Sequence, residues 1–555
     1  ALQLPTCPMG FGEDAFLPRA AQDIGAYRER CRQLAAAIDA ALGQPFSSPS
    51  DCVDGLLGIT ERLLHAVPSS RYWKERPDVG LFDHSRAVAA FAACLAFDNE
   101  PSAPRNADAH RFRLLALSLG GIQDFIFRSV PPVDTTGGGG RRRAKQLRAR
   151  SFYGSGLTLL SAARVLDALG LPLTNLVFHA GGRSILLLPG GSTHATAIDE
   201  AIEWVREWFF RRLGGIVKLR VASLPGLTQA DFSGASGSGF AETYRRLIER
   251  TERARVELPV ASLRADGRWS DGGWVGDGPG HPADAEARLK DMAELGQRLP
   301  RAVWLALDGD PAGALTSLED VVGYRVALYD RVPASGRRFA LHAGNGEAVA
   351  APLFLASSHV PVADERMVAA LASHDRGDDE PARVGDPVTF SDVAHLSQDD
   401  SGRAVRQPML GVLKADVDRL GLLMGYGLPA DQVSFGRLVA LSRSLDLFFK
   451  GFLDHRVRER YPNIYTVFAG GDDLLLIGPW YDVVRLAADL RRYLGNYPVL
   501  ACGAGRAYRA RKFLVRHRFA VAAAALVAVS MAAGGGGTIW QARKARAEAD
   551  RARAV

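Results

Sequence analysis

Cysteine is scarce in this chain. Only five occur among 555 residues, at Cys7, Cys31, Cys52, Cys94 and Cys502. No two of them form a Cys-x-x-Cys pair, so neither a structural zinc site nor a disulfide framework is expected. Sparse, unpaired thiols suit a reducing cytoplasm. Paired histidine and aspartate are equally thin: the one His-Asp dipeptide, His374-Asp375, lies in the polar stretch Ser373 to Pro381, which reads as a loop. Long apolar runs are lacking, with one exception. Phe519 to Trp540 carries no charged residue over 22 positions, a length that can span a bilayer. Its alanines and Gly534 to Gly537 make it a weak span, and basic flanks on both sides leave its orientation open. Residues 506 to 555 hold eleven Lys or Arg and two acids, so the net charge of +7 becomes −2 for the rest of the chain. The sequence pI of 9.2 therefore says little about nucleic-acid binding.

The chain also repeats itself, once with acids and once without. Residues 463 to 478 read Asn-Ile-Tyr-Thr-Val-Phe-Ala-Gly-Gly-Asp-Asp-Leu-Leu-Leu-Ile-Gly, and residues 175 to 190 read Asn-Leu-Val-Phe-His-Ala-Gly-Gly-Arg-Ser-Ile-Leu-Leu-Leu-Pro-Gly. Apolar strand, Gly-Gly turn and apolar strand make a β-hairpin. Asp472 and Asp473 sit at one tip, Arg183 and Ser184 at the other. Upstream of the acidic copy, the strand from Leu410 ends in Asp416 and Asp418; upstream of the other, the strand from Leu114 carries Ser118 in place of Asp416. The separations are 56 residues from Asp416 to Asp472 and 65 from Ser118 to Arg183, room for the helices that apolar spacing predicts over Phe435–Val457 and Arg150–Leu169. Strand, helices and hairpin are the core of a palm-type sandwich, so the fold class expected is α/β (α+β) with two palm domains.

Three carboxylates gathered from a strand end and a neighbouring turn make an oxygen-rich site suited to magnesium or manganese. Two such ions, about 3.5 to 4 Å apart, can orient a nucleoside triphosphate, activate a ribose hydroxyl and stabilise departing pyrophosphate. The adjacent Gly470 and Gly471 let phosphates approach the backbone with no Cβ in the way.

The motifs Lys414-Ala-Asp-Val-Asp-Arg-Leu-Gly, Leu441-Ser-Arg-Ser-Leu-Asp-Leu-Phe-Phe and Phe468-Ala-Gly-Gly-Asp-Asp-Leu-Leu-Leu-Ile-Gly-Pro-Trp resemble the large subunit of type III CRISPR interference complexes, CRISPR-associated protein ten, in its subtype III-A form. Gly121-Ile-Gln-Asp-Phe-Ile-Phe and Leu147-Arg-Ala-Arg-Ser-Phe-Tyr resemble its first palm, Thr389-Phe-Ser-Asp-Val-Ala the approach to its second, and the likeness runs over residues 80 to 505. The resemblance implies an antiviral enzyme that, when a guide RNA pairs with an invading transcript, polymerises ATP into cyclic oligoadenylates. Carried over by position, it implies metals on Asp416, Asp472 and Asp473, and an ATP site lined by Gly470, Gly471, Ser442, Gly121 and Gln123. The first palm then needs a nucleotide pocket without acids, to which Ser118, Arg183 and Ser184 would belong. It further implies guide RNA, target RNA and smaller CRISPR-associated subunits as partners. The zinc site and the HD nuclease found in some members have no counterpart motif here, and single-strand DNase activity is not expected. Asp83-His84 reads as the start of an apolar helix, Ala87 to Phe97. The chain opens on Ala, and an HD segment is expected to have been lost by truncation.

The organisation expected is a helical N-terminal region over 1–106, a first palm without acids over 107–262, a linker domain over 263–405, a truncated second palm over 406–505 and a basic tail over 506–555 with its apolar span at 519–540. The basic run Arg141 to Arg150 either touches RNA phosphates or is a solvated loop and helix start. Two other functions stay open: a non-catalytic scaffold of the ribonucleoprotein, and a membrane-tethered nucleotide cyclase. The expected location is cytoplasmic, or membrane-anchored if 519–540 is a genuine span. The tail resembles the spanning region of receptor-like kinases and reads better as an aberrant join than as an anchor.

Overall fold

In the computed structural model the described residues are 9, 24–43, 46, 48–69, 79–97, 110–127, 139–180, 182–233, 239–254, 269–270, 273–274, 292–342, 350–355, 359–372, 383–396, 409–416, 433–470 and 473–494. Residues through Val483 belong to one unit, and the rest of the last helix, from Val484, to a second. Asp418, Gly471, Asp472 and the tail from 506, with its apolar span, lie outside the described residues. Among the described helices none is long and apolar enough to cross a membrane.

Three helices come first: α1 (Ile24–Leu42), α2 (Pro49–Leu64) and α3 (Leu81–Phe97). The start of α2 is dictated locally, since Ser48 Oγ accepts from the Asp51 amide at 3.1 Å and Pro49 occupies the first turn. The helix expected from Ala87 begins earlier, and Asp83 lies in its first turn.

The first repeat is β1 (Phe112–Gly120), α4 (Ile122–Phe127), α5 (Gly139–Ala168), β2 (Leu176–Ala180), β3 (Arg183–Pro189), α6 (Ser192–Leu213), β4 (Lys218–Leu227) and α7 (Gly239–Arg253). Its sheet is antiparallel in the order β2-β3-β1-β4. Alternation splits β1 between two cores. Leu115, Leu117 and Leu119 pack with α5 and α6, while Leu114 and Ala116 pack with α3 and α7.

Beyond the short pair β5 (Trp269–Ser270) and β6 (Gly273–Trp274), and α8 (Ala293–Arg298), the region expected to be a linker domain contains a four-stranded antiparallel sheet. It runs in the order β10-β7-β9-β8, from β7 (Trp304–Leu307), β8 (Thr316–Val321), β9 (Tyr324–Tyr329) and β10 (Arg337–Ala340). Leu305, Val326 and Leu328 share the core of the first repeat. Two short helices follow, α9 (Glu365–Leu371) and α10 (Phe390–His395), the latter opened by a capping box of Thr389 and Asp392.

The second repeat is β11 (Leu410–Asp416), α11 (Phe435–Asp446), a π-helical stretch (Leu447–Leu453), α12 (Asp454–Arg460), β12 (Tyr465–Gly470), β13 (Asp473–Pro479) and α13 (Trp480–Leu494). Its sheet runs β11-β13-β12. One face, with Tyr465, Val467, Leu475 and Ile477, packs on Val388, Val393 and Leu371 from the α9–α10 segment. Helix α11 instead lies over the first sheet, where Phe435, Leu438 and Val439 join Val177, Phe178 and Leu187. The two repeats are therefore interlocked rather than strung in series.

Two glycines report opposite local constraints. At Gly58 in α2 a Cβ would run into the Ala351 carbonyl oxygen, whereas at Gly156 inside α5 it would meet nothing within 4 Å. Gly58→Ala should cost about 1–3 kcal/mol through a forced backbone shift. Gly156→Ala should stabilise by about 0.5–1 kcal/mol through helix propensity. Urea unfolding of the two variants checks this pair of opposite signs.

Candidate active site

The two hairpins share one register. In the second repeat Asp416 faces Asp473 across β11 and β13, and Gly470 faces Asp473 across β12 and β13. In the first, Ser118 faces Arg183 and Ala180 faces Arg183. The first strand of each hairpin, at the edge of its sheet, carries a bulge at the same place, between Thr466 and Phe468 and between Leu176 and Phe178. A bulge adds one residue to one strand. Because both copies carry it, the bulge leaves the two ladders in step; β2 ends at Ala180 and β3 begins at Arg183 where β12 ends at Gly470 and β13 begins at Asp473, which sets Arg183 in the place of Asp473, one position from the pairing that the sequence suggests.

Asp416 is exposed at the end of its strand. Carboxylate-bearing residues at directly opposed ladder positions repel, and hard divalent cations bound by oxygen relieve that repulsion. The donor set therefore fits magnesium or manganese. Among the described residues no group of three His, Cys, Asp or Glu is placed to hold a metal; Asp472 and the side chain of Asp473 fall outside that description.

Between the hairpins lies a cavity of about 70 Å³ lined by Gln123 of α4, Ser151 and Ser155 of α5, His179 and Gly182 of the first hairpin, and Lys450, Phe468 and Gly470 of the second repeat. Lys450 is the residue that sequence reasoning missed. It is 7% exposed, and its Nζ lies 2.8 Å from Asp446 Oδ1. A Cβ at Gly470 would stand 2.7 Å from Lys450 Cε, and Gly470 has φ 156°, so glycine there leaves the lysine stem its path. π-Helical turns are rare and recur at functional sites. The sequence signal was a lone cation in Leu447-Phe-Phe-Lys-Gly-Phe-Leu, which reads as core.

A second cavity, of about 90 Å³, adjoins the first at His179 and is lined among others by Glu61, Arg86, Phe354, Ser442, Arg443 and Asp446. Ser442 is 2% exposed and its Oγ has no hydrogen-bond partner. Next to it, Arg443 grips Asp83 of α3 through Nε at 2.7 Å and Nη2 at 2.9 Å, and its guanidinium lies 5.0 Å over the Phe82 ring. Glu61 stands 3.9 Å from the same guanidinium. Burial pushes the Glu61 carboxyl up, against the pull of Arg443, Arg86 and Arg62.

Of the expected site residues, Gln123 and Gly470 line the first cavity and Ser442 the second. Gly121 lines neither. It has φ 79° at the β1–α4 turn, and the space beside it is filled by the Ile216 carbonyl. Arg183 also lines neither, and its charge acts on the Tyr244 hydroxyl. Ser184 turns inward to His179 and Thr158. The basic run is partly structural: Arg148 Nε donates to the Gly296 carbonyl at 3.2 Å and Arg150 Nη1 to the Phe125 carbonyl at 3.4 Å, both residues being buried. Asp83 serves as the buried counter-ion of Arg443 as well as opening its helix.

The residues 409–501 match the family model described as Cas10/Cmr2, second palm domain, and residues 111–258 match Csm1 subunit domain B. Two curated relatives bear the name CRISPR system single-strand-specific deoxyribonuclease Cas10/Csm1 (subtype III-A). The one from Enterococcus italicus is 25% identical over 471 residues, covering 80% of this chain and 57% of the relative. The one from Thermococcus onnurineus is 26% identical over 498 residues, covering 81% and 58%. The chain thus spans a little over half the length of these relatives. In fold it is similar to a Csm1-Csm4 cassette in complex with pppApA, with TM-score 0.64, 22% identity and coverage of 92% of this chain and 63% of that one. The cassette in complex with cA4 gives TM-score 0.63, 21% identity and coverage of 92% and 64%.

Removing the carboxylate of Asp83 would leave Arg443 buried without its bidentate partner and with Glu61 at 3.9 Å as its remaining counter-ion. Asp83→Ala should cost about 3–5 kcal/mol, read as a lowered urea midpoint. Acid adds a second, separable effect. Burial pushes His65 and His179 from 6.5 down to about 3, with Arg443 adding to the shift at His65 and Lys450 and Arg86 at His179. The unfolded chain then binds the extra protons, so these two groups erode stability as pH falls from 6.5 toward 3. The raised carboxyls of Asp54 and Glu61 act in the opposite sense. The Nε2 of His65 is buried without a partner, so His65→Leu should flatten the acid limb of a stability-versus-pH curve while leaving neutral-pH stability little changed.

Proposed function

The chain belongs to the Cas10/Csm1 family, the large subunits of subtype III-A CRISPR complexes, and from that premise we propose that it is a nucleotidyltransferase joining ATP into cyclic oligoadenylates. The observation that carries this reading is the shared register of the two hairpins, acidic in one and not in the other, with a cavity between them. Two facing palms, one with acids, suit two nucleotides, of which only one needs metals beside it.

In the proposed reaction the 3′-hydroxyl of one ATP attacks the α-phosphorus of another. A P–O3′ bond forms, the bond between the α-phosphorus and the bridging oxygen breaks, pyrophosphate leaves and the hydroxyl proton passes to solvent. Asp416, Asp472 and Asp473 would hold two magnesium or manganese ions, which when bound supply Lewis acidity to the phosphates and the attacking hydroxyl. Gly470 and Gly471 admit phosphate close to the backbone. Lys450 meets phosphate charge from the cavity wall, and Gln123 approaches from the first palm. Ser442 offers an unpartnered hydroxyl in the adjoining cavity. Guide RNA, target RNA and smaller subunits are proposed as partners, and the cytoplasm as location. Zinc and single-stranded DNA cleavage are not part of the proposal.

A scaffold role is the second reading.

Mass spectrometry decides between them. Purified protein, with its effector complex and target RNA, is incubated with ATP and manganese. Adenylate oligomers are expected from the unmutated chain and none from Asp472→Asn/Asp473→Asn. Lys450→Met should raise KM for ATP at least tenfold, a loss of about 1.4 kcal/mol or more of phosphate binding. Absence of product from an unmutated chain that still assembles with guide RNA would favour the scaffold.

A further inference from the structure

One feature of the cleft has no part in that reaction: a histidine–serine pair in its wall. His179 on β2 stands opposite Ser184 on β3, and the same ladder positions in the second hairpin hold Ala469 and Leu474. An apolar pair thus satisfies this place in the fold, so the polar pair answers to something other than packing.

The pair is held in a defined geometry. His179 Nδ1 lies 3.0 Å from Ser184 Oγ, which in turn lies 3.4 Å from the Thr158 carbonyl oxygen. A carbonyl only accepts, so the hydroxyl proton is assigned to Thr158, and Oγ accepts from Nδ1–H. This leaves Nε2 of the ring with a lone pair. His179 borders both cavities. Its ring centroid is 6.1 Å from that of Phe354 at a 45° tilt, and Leu159, Leu173 and Leu176 line the larger cavity together with the charged Glu61, Arg86, Arg443 and Asp446. Desolvation, with the charges of Lys450 and Arg86, keeps the imidazole neutral. A neutral acceptor beside an aromatic ring suits a flat heterocycle, while Lys450, the ammonium among the described residues that border the smaller cavity, suits phosphate.

We propose that His179 reads the base of the nucleotide held between the two sheets, its Nε2 accepting from an exocyclic amino group such as the 6-amino group of adenine, with Ser184 as the positioning residue that fixes the tautomer. The inference rests on the reading of this cleft as an ATP site. Guanine presents a carbonyl oxygen where adenine presents its amine, which sets two acceptors against each other and leaves both without a proton to share.

The test is the ratio of affinities of AMPPNP and GMPPNP for the full chain with manganese, by calorimetry. The unmutated chain should favour the adenine analogue by about tenfold or more, the equivalent of one hydrogen-bond mismatch. His179→Leu should bring the ratio close to one. Ser184→Ala should lower it while the histidine stays in place, an effect that a merely structural role for Ser184 would not produce. Should His179→Leu fail to fold, Ser184→Ala decides alone. An unchanged ratio in the folded variants, or no adenine preference in the unmutated chain, overturns the role of His179 and leaves the nucleotide site standing. Absence of binding by either analogue overturns both.

Discussion

Across an antiparallel ladder, two carboxylate-bearing residues set directly opposite each other repel, and the register of the second sheet imposes that arrangement on Asp416 and Asp473. The bulge in β12 brings the strand end to Gly470, in line with Asp473. Gly470 leaves room for the Lys450 stem, whose ammonium pairs with Asp446. The first sheet keeps the same bulge and the same pairing yet carries Ser118 and Arg183, so its hairpin preserves the shape of the site and drops the repulsion. Shape and charge have separated between the two copies.

A line of buried charge runs behind the cleft. Asp83 holds Arg443 bidentately; one turn further along the helix Asp446 faces Lys450. Buried ion pairs of this kind add little net stability relative to apolar packing, because desolvation offsets their attraction, but losing one partner is costly. They act here as alignment: α3 from the N-terminal region, α11 from the second repeat and β2 from the first meet around Arg443, Phe82 and the backbone of Leu176, to which Arg86 donates. The interlocking of the repeats through α11 thus has a polar fixing point inside an apolar contact.

Much of this was legible in the chain. Two apolar runs broken by Gly-Gly gave both hairpins, and helical spacing gave α5 and α11, because these patterns depend on burial periodicity alone. What could not be read was set by tertiary contacts. Where each strand ends relative to its Gly-Gly pair is invisible to periodicity: β2 stops at Ala180 and β12 at Gly470, so the sequence aligned Arg183 with Asp472 where the ladders align it with Asp473. Lys450 was hidden in an aromatic run whose helix turns out to be π in form. Gly121 looked like a ligand glycine but answers to the Ile216 carbonyl. Arg148 and Arg150 looked solvated or RNA-facing, and their guanidiniums are spent on backbone carbonyls. The strands of the middle region were missed because β7 and β10 are four residues each, too short for alternation to register.

The π-helical stretch Leu447–Leu453 sits between two α-helical segments that run on without a break. Each residue of an α-helix advances about 100° around the axis, whereas the wider π turn advances less, so this stretch sets the rotational phase between α11 and α12. The phase is what lets Phe435 and Leu438 face the first sheet while Val457, further along the same rod, is still fully buried. Evolution of this segment is therefore constrained in length more than in composition: loss or gain of one residue between Asp446 and Asp454 would rotate one end of the rod against the other, and no substitution at a single position could restore the alignment.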